Sequence, residues 1–71
     1  MSEIITLAKN IKKIRRTLNL SQIEFAADCG ISTESVSRIE RCVADPQLST
    51  LQAIASYINC NVADLLISRE W

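Results

Sequence analysis

The sequence predicts an all-α protein that folds as one compact bundle of five short helices. Apolar residues recur at intervals of three and four in successive segments of the chain, which is the period of amphipathic helices. These segments are rich in Ala, Leu, Ile, Lys, Arg, Glu and Gln, which favour helix formation. Only one Gly and one Pro occur among 71 residues. A chain of this length forms a single domain, residues 1–71, and buries only about 60% of its unfolded surface, so we expect marginal stability.

The first helix is predicted over residues 3 to 18. One face of this segment is apolar and consists of Ile4, Leu7, Ile11, Ile14 and Leu18. Asn19 follows and is expected to take the left-handed conformation that ends a helix. The other side carries a run of cations without any acidic residue: Lys9, Lys12, Lys13, Arg15 and Arg16. Two interpretations remain open for these cations, namely a solvated helix face and a surface that approaches nucleic acid.

Two shorter helices follow in residues 21 to 41, which read SQIEFAADCGISTESVSRIER. Ser21 and Glu24 have the spacing of a capping box at the start of the second helix, residues 22 to 29. Gly30 is expected to end that helix in the left-handed conformation, and Ser32 to cap the third helix, residues 33 to 40. Two helices joined by so short a turn cross at a steep angle, and Ala26 leaves room for the crossing. The segment therefore predicts a helix-turn-helix.

The remaining chain predicts a loop over residues 41 to 47 and two more helices. Pro46 ends the loop. The fourth helix, about residues 48 to 58, has an apolar face made of Leu48, Leu51, Ile54, Ala55 and Ile58. Asn59 tolerates the left-handed conformation, Cys60 stands at an apolar position, and Asn61 is expected to cap a fifth helix over residues 62 to 67.

Residues 21 to 41 resemble the helix-turn-helix of the phage repressor and Cro family, also called the Xre family. The matching elements are Leu20-Ser21-Gln22, Phe25-Ala26, Gly30-Ile31-Ser32, Val36-Ser37-Arg38-Ile39-Glu40, Pro46, Leu48, Thr50-Leu51, Ile54-Ala55 and Asp64-Leu65-Leu66. The resemblance covers roughly residues 7 to 67. It implies the phage-repressor type of DNA-binding domain, with the third helix in the major groove. The chain departs from the family at Cys42 and Asn59, where Gly is usual, and Cys pays a conformational cost in the left-handed region that Gly does not.

The resemblance also implies which residues meet DNA. Base edges would be faced by Thr33, Glu34, Ser37 and Arg38, with Arg38 able to bind a guanine through two hydrogen bonds. Phosphates would be met by Gln22, Ser32, Ser35 and Arg41. A structural ion pair found in the family would fall on Arg15 and Glu40, because a guanidinium can hold a carboxylate with two parallel hydrogen bonds. Structural alternatives stay open: Glu34 also suits the helix dipole, Gln22 can be an ordinary first-turn residue, and Ser37 can simply fill the surface.

Composition narrows the functional classes. Eight basic and eight acidic residues give a formal net charge of zero, so non-specific affinity for DNA should be modest. Three cysteines without paired spacing, and no histidine, predict no metal site and reduced thiols in a cytoplasmic protein. A redox switch is the alternative for the thiols.

The sequence has no signal peptide and no apolar run of membrane-spanning length. With no histidine and no Gly-rich phosphate loop, we expect neither an enzyme, nor catalytic residues, nor a cofactor.

Two functions fit these features. The first is a transcriptional regulator that binds double-stranded DNA as a homodimer, with half-sites about one helical turn apart. Relatives of this kind often dimerise near the last helix, which would place Leu65, Leu66 and Trp71 at the interface. The second is an antitoxin or other module whose main role is to bind a partner protein. The zero net charge and Trp71 favour this second function, because Trp is enriched at interface hot spots.

Overall fold

The computed structural model describes residues 2–43 and 45–71, and in these residues it contains five α-helices and no strand. The helices are α1 (Ser2–Thr17), α2 (Gln22–Cys29), α3 (Thr33–Glu40), α4 (Leu48–Tyr57) and α5 (Val62–Leu65). The predicted all-α class is confirmed. The largest difference is at α5, which ends at Leu65 and not at residue 67. There the carbonyls of Leu65 and Ile67 accept hydrogen bonds from the Asn10 side chain while Leu66 N–H closes a short turn onto Ala63.

Helices α1 to α4 end in the same way. The first or second residue past each helix end has a positive φ, which is 59° at Asn19, 76° at Gly30, 56° at Cys42 and 59° at Asn59. The next N–H then donates back to a carbonyl five residues earlier, as from Leu20 to Arg15 at 3.0 Å, which is the Schellman arrangement. The left-handed positions predicted for Asn19, Gly30 and Asn59 are confirmed. Cys42, where the family resemblance implies Gly, also has the left-handed conformation.

A single core lies between the helices. Its fully enclosed side chains include Leu7 and Ile11 from α1, Phe25 from α2, Val36 from α3, Ile54 from α4 and Leu65 from α5. Helix α1 packs against α3 and α5, whereas α2 packs against α3 and α4. The helix-turn-helix is therefore supported from two sides, by α1 and by α4.

Two apolar side chains that were expected in the core are exposed. Leu18 is 45% exposed and Leu48 is 62% exposed. Leu18 lies beyond the last residue of α1, where the chain turns towards Asn19, and Leu48 is the first residue of α4. Helical periodicity predicts which face points inward, but it does not tell where the neighbouring helices stop covering that face.

Asn10 is a buried polar residue in the middle of the core-facing side of α1. It is 6% exposed, and its Nδ2 donates to the carbonyls of Leu65 at 2.9 Å and Ile67 at 2.8 Å. Because these carbonyls belong to the last residue of α5 and to the chain just after it, the amide fastens the end of α5 to α1. Within the described residues, no helix is long and apolar enough to cross a membrane.

Candidate nucleic-acid interface

Caps fix the positions of α2 and α3. Ser21 Oγ accepts from the N–H of Glu24 at 3.1 Å, and Glu24 Oε1 accepts from the N–H of Ser21 at 2.9 Å, which is the predicted capping box. The backbone and hydroxyl hydrogen bonds of Ser21 hold the pKa of Glu24 below its usual value. Ser32 Oγ accepts from the N–H of Ser35 at 3.1 Å, and the two hydroxyls lie 2.8 Å apart. Both serines predicted to meet phosphates therefore sit together at the first turn of α3.

Beneath this turn, the two helices approach closely. Ala26 is 1% exposed, and the N–H of Ile31 donates to its carbonyl at 3.0 Å. Gly30 makes the connection with a φ of 76°. A side chain larger than Ala at residue 26 would have no space within the core, so this residue sets the distance between α2 and α3.

The outward face of α3 carries the side chains that were predicted to read bases. Thr33, Glu34 and Arg38 are exposed and Ser37 is half-buried. Arg38 Nε lies 4.0 Å from Glu34 Oε2, and these side chains are 52% and 75% exposed. An exposed pair of this kind contributes at most about 1 kcal/mol. The Arg38 guanidinium is thus held loosely, and it can leave Glu34 at small cost when a better acceptor is offered.

Arg41 is the second exposed guanidinium at this face. It follows α3 directly, and its Nε donates to Ser37 Oγ at 3.1 Å. Asp45, on the loop before α4, lines the same shallow groove as Ser35 and Arg38. This carboxylate lowers the positive potential next to α3, in keeping with the zero net charge of the chain.

The end of α3 is tied to α1 and α2 through the Glu40 carboxylate. Arg15 donates to it twice, from Nε to Oε2 at 2.8 Å and from Nη2 to Oε1 at 3.0 Å. The side chains of Arg15 and Glu40 are only 15% and 3% exposed, and Arg15 Nη1 also donates to the Leu20 carbonyl at 3.0 Å. The pair implied by the family resemblance is therefore present, in the two-point geometry that suits a guanidinium.

Burial by itself raises the pKa of the Glu40 carboxyl. The hydrogen bonds from Arg15 and Gln22, with the charges of Arg15 and Lys12, outweigh it and hold this pKa below its usual value. The hydrogen bond to Glu40 likewise holds the pKa of Arg15 above its usual value. Both groups therefore stay charged at neutral pH, and the fixed ion pair locks the orientation of α3 relative to α1.

Gln22 lies at the first turn of α2, where a phosphate contact was predicted. In the structure it is half-buried, and its Nε2 donates to Glu40 Oε1 at 3.1 Å. Gln22 thus helps to join α2 to the end of α3, and no short-range feature of the sequence indicated this role. A phosphate contact by Gln22 stays a prediction, and it would have to be made from within this network.

The three residues predicted for a dimer interface differ in their surroundings. Leu65 is 0% exposed and lies in the core of its own domain. Leu66 and Trp71 are half-buried and pack against that core. The guanidinium carbon of Arg69 stands 4.5 Å from the centre of the Trp71 ring, which is the geometry of a cation–π contact. The indole N–H of Trp71 is buried and has no acceptor in the part of the chain that the structure describes.

The cysteines differ in reactivity. Burial, with the nearby Asp28 charge, raises the pKa of Cys29 to about 11, and burial also raises the pKa of Cys60. Because the thiolate is the reactive form, both stay unreactive thiols at neutral pH. Cys42 is exposed, at the left-handed corner that follows α3.

Comparison with known proteins agrees with this geometry. A family model described as helix-turn-helix matches residues 11–65. The chain is 35% identical over 60 residues to the antitoxin PezA of Streptococcus pneumoniae serotype 4 (strain ATCC BAA-334 / TIGR4), which covers 84% of this chain. It is 32% identical over 62 residues to the immunity repressor protein of Bacillus phage phi105, covering 87% of this chain. The matches span 38% and 43% of the lengths of these two relatives.

A solved structure is also similar. It is the crystal structure of a hypothetical transcription factor from Neisseria, with a TM-score of 0.82 and 29% sequence identity. The superposition covers 92% of this chain and 75% of the other chain. The five-helix arrangement, including the helix-turn-helix, is therefore shared with a known protein.

Proposed function

Because the chain belongs to the Cro and repressor type of helix-turn-helix family, we propose that it binds double-stranded DNA at a specific sequence and regulates transcription. The observation that carries the proposal is the outward face of α3. Its exposed polar residues have no part in the core, while its inward face is fixed by Val36, Ile39 and the Arg15–Glu40 pair. A rigid helix with an uncommitted polar face is what major-groove reading requires.

In this proposal, α3 enters the major groove by its first turn. Arg38 exchanges its loose contact with Glu34 for a guanine, and Glu34 becomes available to accept from a cytosine N4. Ser32, Ser35 and the first turn of α2 lie at the rim of the groove, where N–H groups and hydroxyls suit phosphates. Arg41 lies one helical turn beyond Ser37 and meets the backbone on the same side.

We further propose that two copies bind together to a pseudo-palindromic site. A single α3 of eight residues offers few base contacts, whereas two copies on one face of the duplex double the number of base pairs read. With Leu65 enclosed in its own domain, the contact between copies would rest on Leu66 and its exposed neighbour Ile67.

The test is fluorescence anisotropy with labelled duplex from upstream of the protein's own gene and with a scrambled duplex, at two salt concentrations. We expect a preference of roughly a thousandfold for the upstream duplex. Arg38→Ala should lose roughly tenfold or more of that preference, since one bidentate contact to a base is worth about 1–3 kcal/mol. Arg16→Ala, which removes a cation from α1, should leave the preference unchanged. Weak and equal binding to both duplexes, with Arg38→Ala indistinguishable from the parent, would contradict base reading by α3.

A second function is favoured by one observation, the 35% identity to an antitoxin. We propose that the chain also binds a partner protein, through a surface separate from the outward face of α3. The two functions are compatible, because they use different sides of the domain.

A further inference from the structure

A concave groove runs along α1 on the side away from the core. Its volume is about 670 Å³, within the range of sites that hold ligands. One wall is α1, with Lys9, Lys12, Lys13 and Arg16, and the other is the chain after α5, with Arg69 and Trp71. We call it the α1–tail groove. Neither the family resemblance nor the proposed DNA contacts give it a role.

The α1 wall is a continuous stripe of positive charge. Residues 9, 12, 13 and 16 are spaced by three and four, so their side chains share one helix face. None of these four cations has a carboxylate within 4.0 Å in the described part of the chain, where the recorded ion pairs are those of Arg15, Arg38 and Arg69. Two carboxylates border the groove. Glu40 is held by Arg15 and also interacts with the charge of Lys12, so Glu70 is the carboxylate left to oppose Lys9, Lys13 and Arg16.

The groove also offers apolar surface. Ile5, which is 46% exposed, and Ala8 line it together with the Trp71 side chain. An apolar side chain of a ligand can therefore be removed from water beside the cationic stripe.

These features distinguish between two polyanions. A DNA duplex is a wide, stiff cylinder whose phosphates lie on a convex surface, so it would touch the lysines without filling the groove. The charged phosphates would also make no favourable apolar contact with Ile5 and the indole ring. An extended or helical peptide is narrow enough to enter, and its carboxylates can meet the stripe while an apolar side chain covers Ile5 and Trp71.

We propose that the α1–tail groove is the docking site for an acidic segment of a partner protein in which apolar side chains recur among the carboxylates. The proposal gives a surface and a ligand class to the second proposed function. It does not depend on DNA binding, so it survives even if α3 reads no sequence.

Trp71 is the only tryptophan in the chain, so its fluorescence reports directly on the groove. The probe is the acetylated peptide Leu-Glu-Glu-Leu-Glu-Glu-Leu, titrated into the full chain, and the control is the same peptide with Gln in place of Glu. The variant is Lys9→Gln with Lys13→Gln, both exposed. Its matched control is Arg38→Gln with Arg41→Gln, which removes two cations outside the groove. Circular dichroism checks that both variants are folded.

The proposal predicts a saturable change of Trp71 emission with the acidic peptide and none with the Gln peptide. Affinity should fall roughly tenfold in the Lys9/Lys13 variant and stay within about twofold of the parent in the Arg38/Arg41 variant. Higher salt should weaken binding, because exposed charges are screened.

Several results would overturn the proposal. One is no emission change up to about 1 mM peptide, which excludes even weak docking. Another is an equal loss of affinity in both variants, which would mean general charge attraction. A third is the same Trp71 response to inorganic phosphate, which would indicate a small-anion site. If duplex DNA gives the response through Lys9 and Lys13, the occupant is the DNA backbone and not a protein.

Discussion

Replacing Arg15 by Met tests whether the Arg15–Glu40 pair holds α3 in place. The substitution removes two hydrogen bonds to a carboxylate whose side chain is 3% exposed, and leaves Gln22 as its remaining side-chain donor. Removing one partner of a buried pair costs about 3–5 kcal/mol. We expect the lower end, about 3 kcal/mol, because Arg15 keeps 15% exposure and water can reach the vacated space. At about 0.05–0.15 kcal/mol per residue, the whole domain has only about 4–11 kcal/mol of stability.

The double variant Arg15→Met with Glu40→Met shows how much of the loss in Arg15→Met comes from leaving the Glu40 charge buried without its partner. It leaves no stranded charge, and replacing a buried pair by apolar side chains is often close to neutral. We therefore expect the double variant to be more stable than Arg15→Met alone. The assay is urea unfolding followed by circular dichroism, with Lys13→Met as the control for losing an exposed cation of α1. If Arg15→Met costs less than about 1 kcal/mol, as a surface pair would, or if the double variant is no more stable than the single one, the reasoning is refuted.

Two further predictions concern stability. Cys42→Gly should stabilise the protein by about 0.5–1 kcal/mol, or roughly 2–8 °C in Tm, because the native φ is 56° and Gly adopts it without strain. Thermal unfolding is the measurement, and Cys42→Ala, which keeps a Cβ, should give no such gain. An equal gain in Cys42→Ala would show that loss of the thiol, and not relief of backbone strain, causes the stabilisation. The second concerns acid. Since the folded pKa of Glu40 lies below its unfolded value, the stability it contributes is present above about pH 4.3 and is lost as the pH falls through the folded pKa. Urea unfolding between about pH 2 and 7 should show that the free energy of unfolding of Glu40→Gln falls less steeply with acid than that of the parent. Glu24, whose pKa is also lowered, should still contribute to the fall. An equally steep fall in both proteins would show that Glu40 does not contribute to it.

The elements that local rules govern were predictable. Ser21 and Glu24 mark a helix start by their spacing alone, and Asn19, Gly30 and Asn59 mark helix ends by their tolerance of a positive φ. The structure has each of these caps where the sequence indicates it. Such features need only a few neighbouring residues, so one sequence is enough to find them.

Features that depend on distant parts of the chain were not predictable in this way. The acceptors of Asn10 lie 55 and 57 residues further along, and nothing near Asn10 signals them. The hydrogen bond from Gln22 to Glu40 and the exposure of Leu18 likewise follow from how helices meet in space. The Arg15–Glu40 pair was expected only through the family resemblance, because residues 25 positions apart carry no local signal of contact.

The shortness of α2 and α3 has a consequence for the proposed recognition of DNA. Each has eight residues, whereas isolated helices shorter than about 12–15 residues are marginal in water. We therefore expect α3 to stay helical only within the packed domain, so that a partly folded form would not retain the proposed reading surface. The fraction of molecules able to recognise a site equals the folded fraction, and the apparent Kd rises in inverse proportion as that fraction falls. A change far from α3 that unfolds nine molecules in ten would weaken recognition about tenfold without altering a single contact with a base.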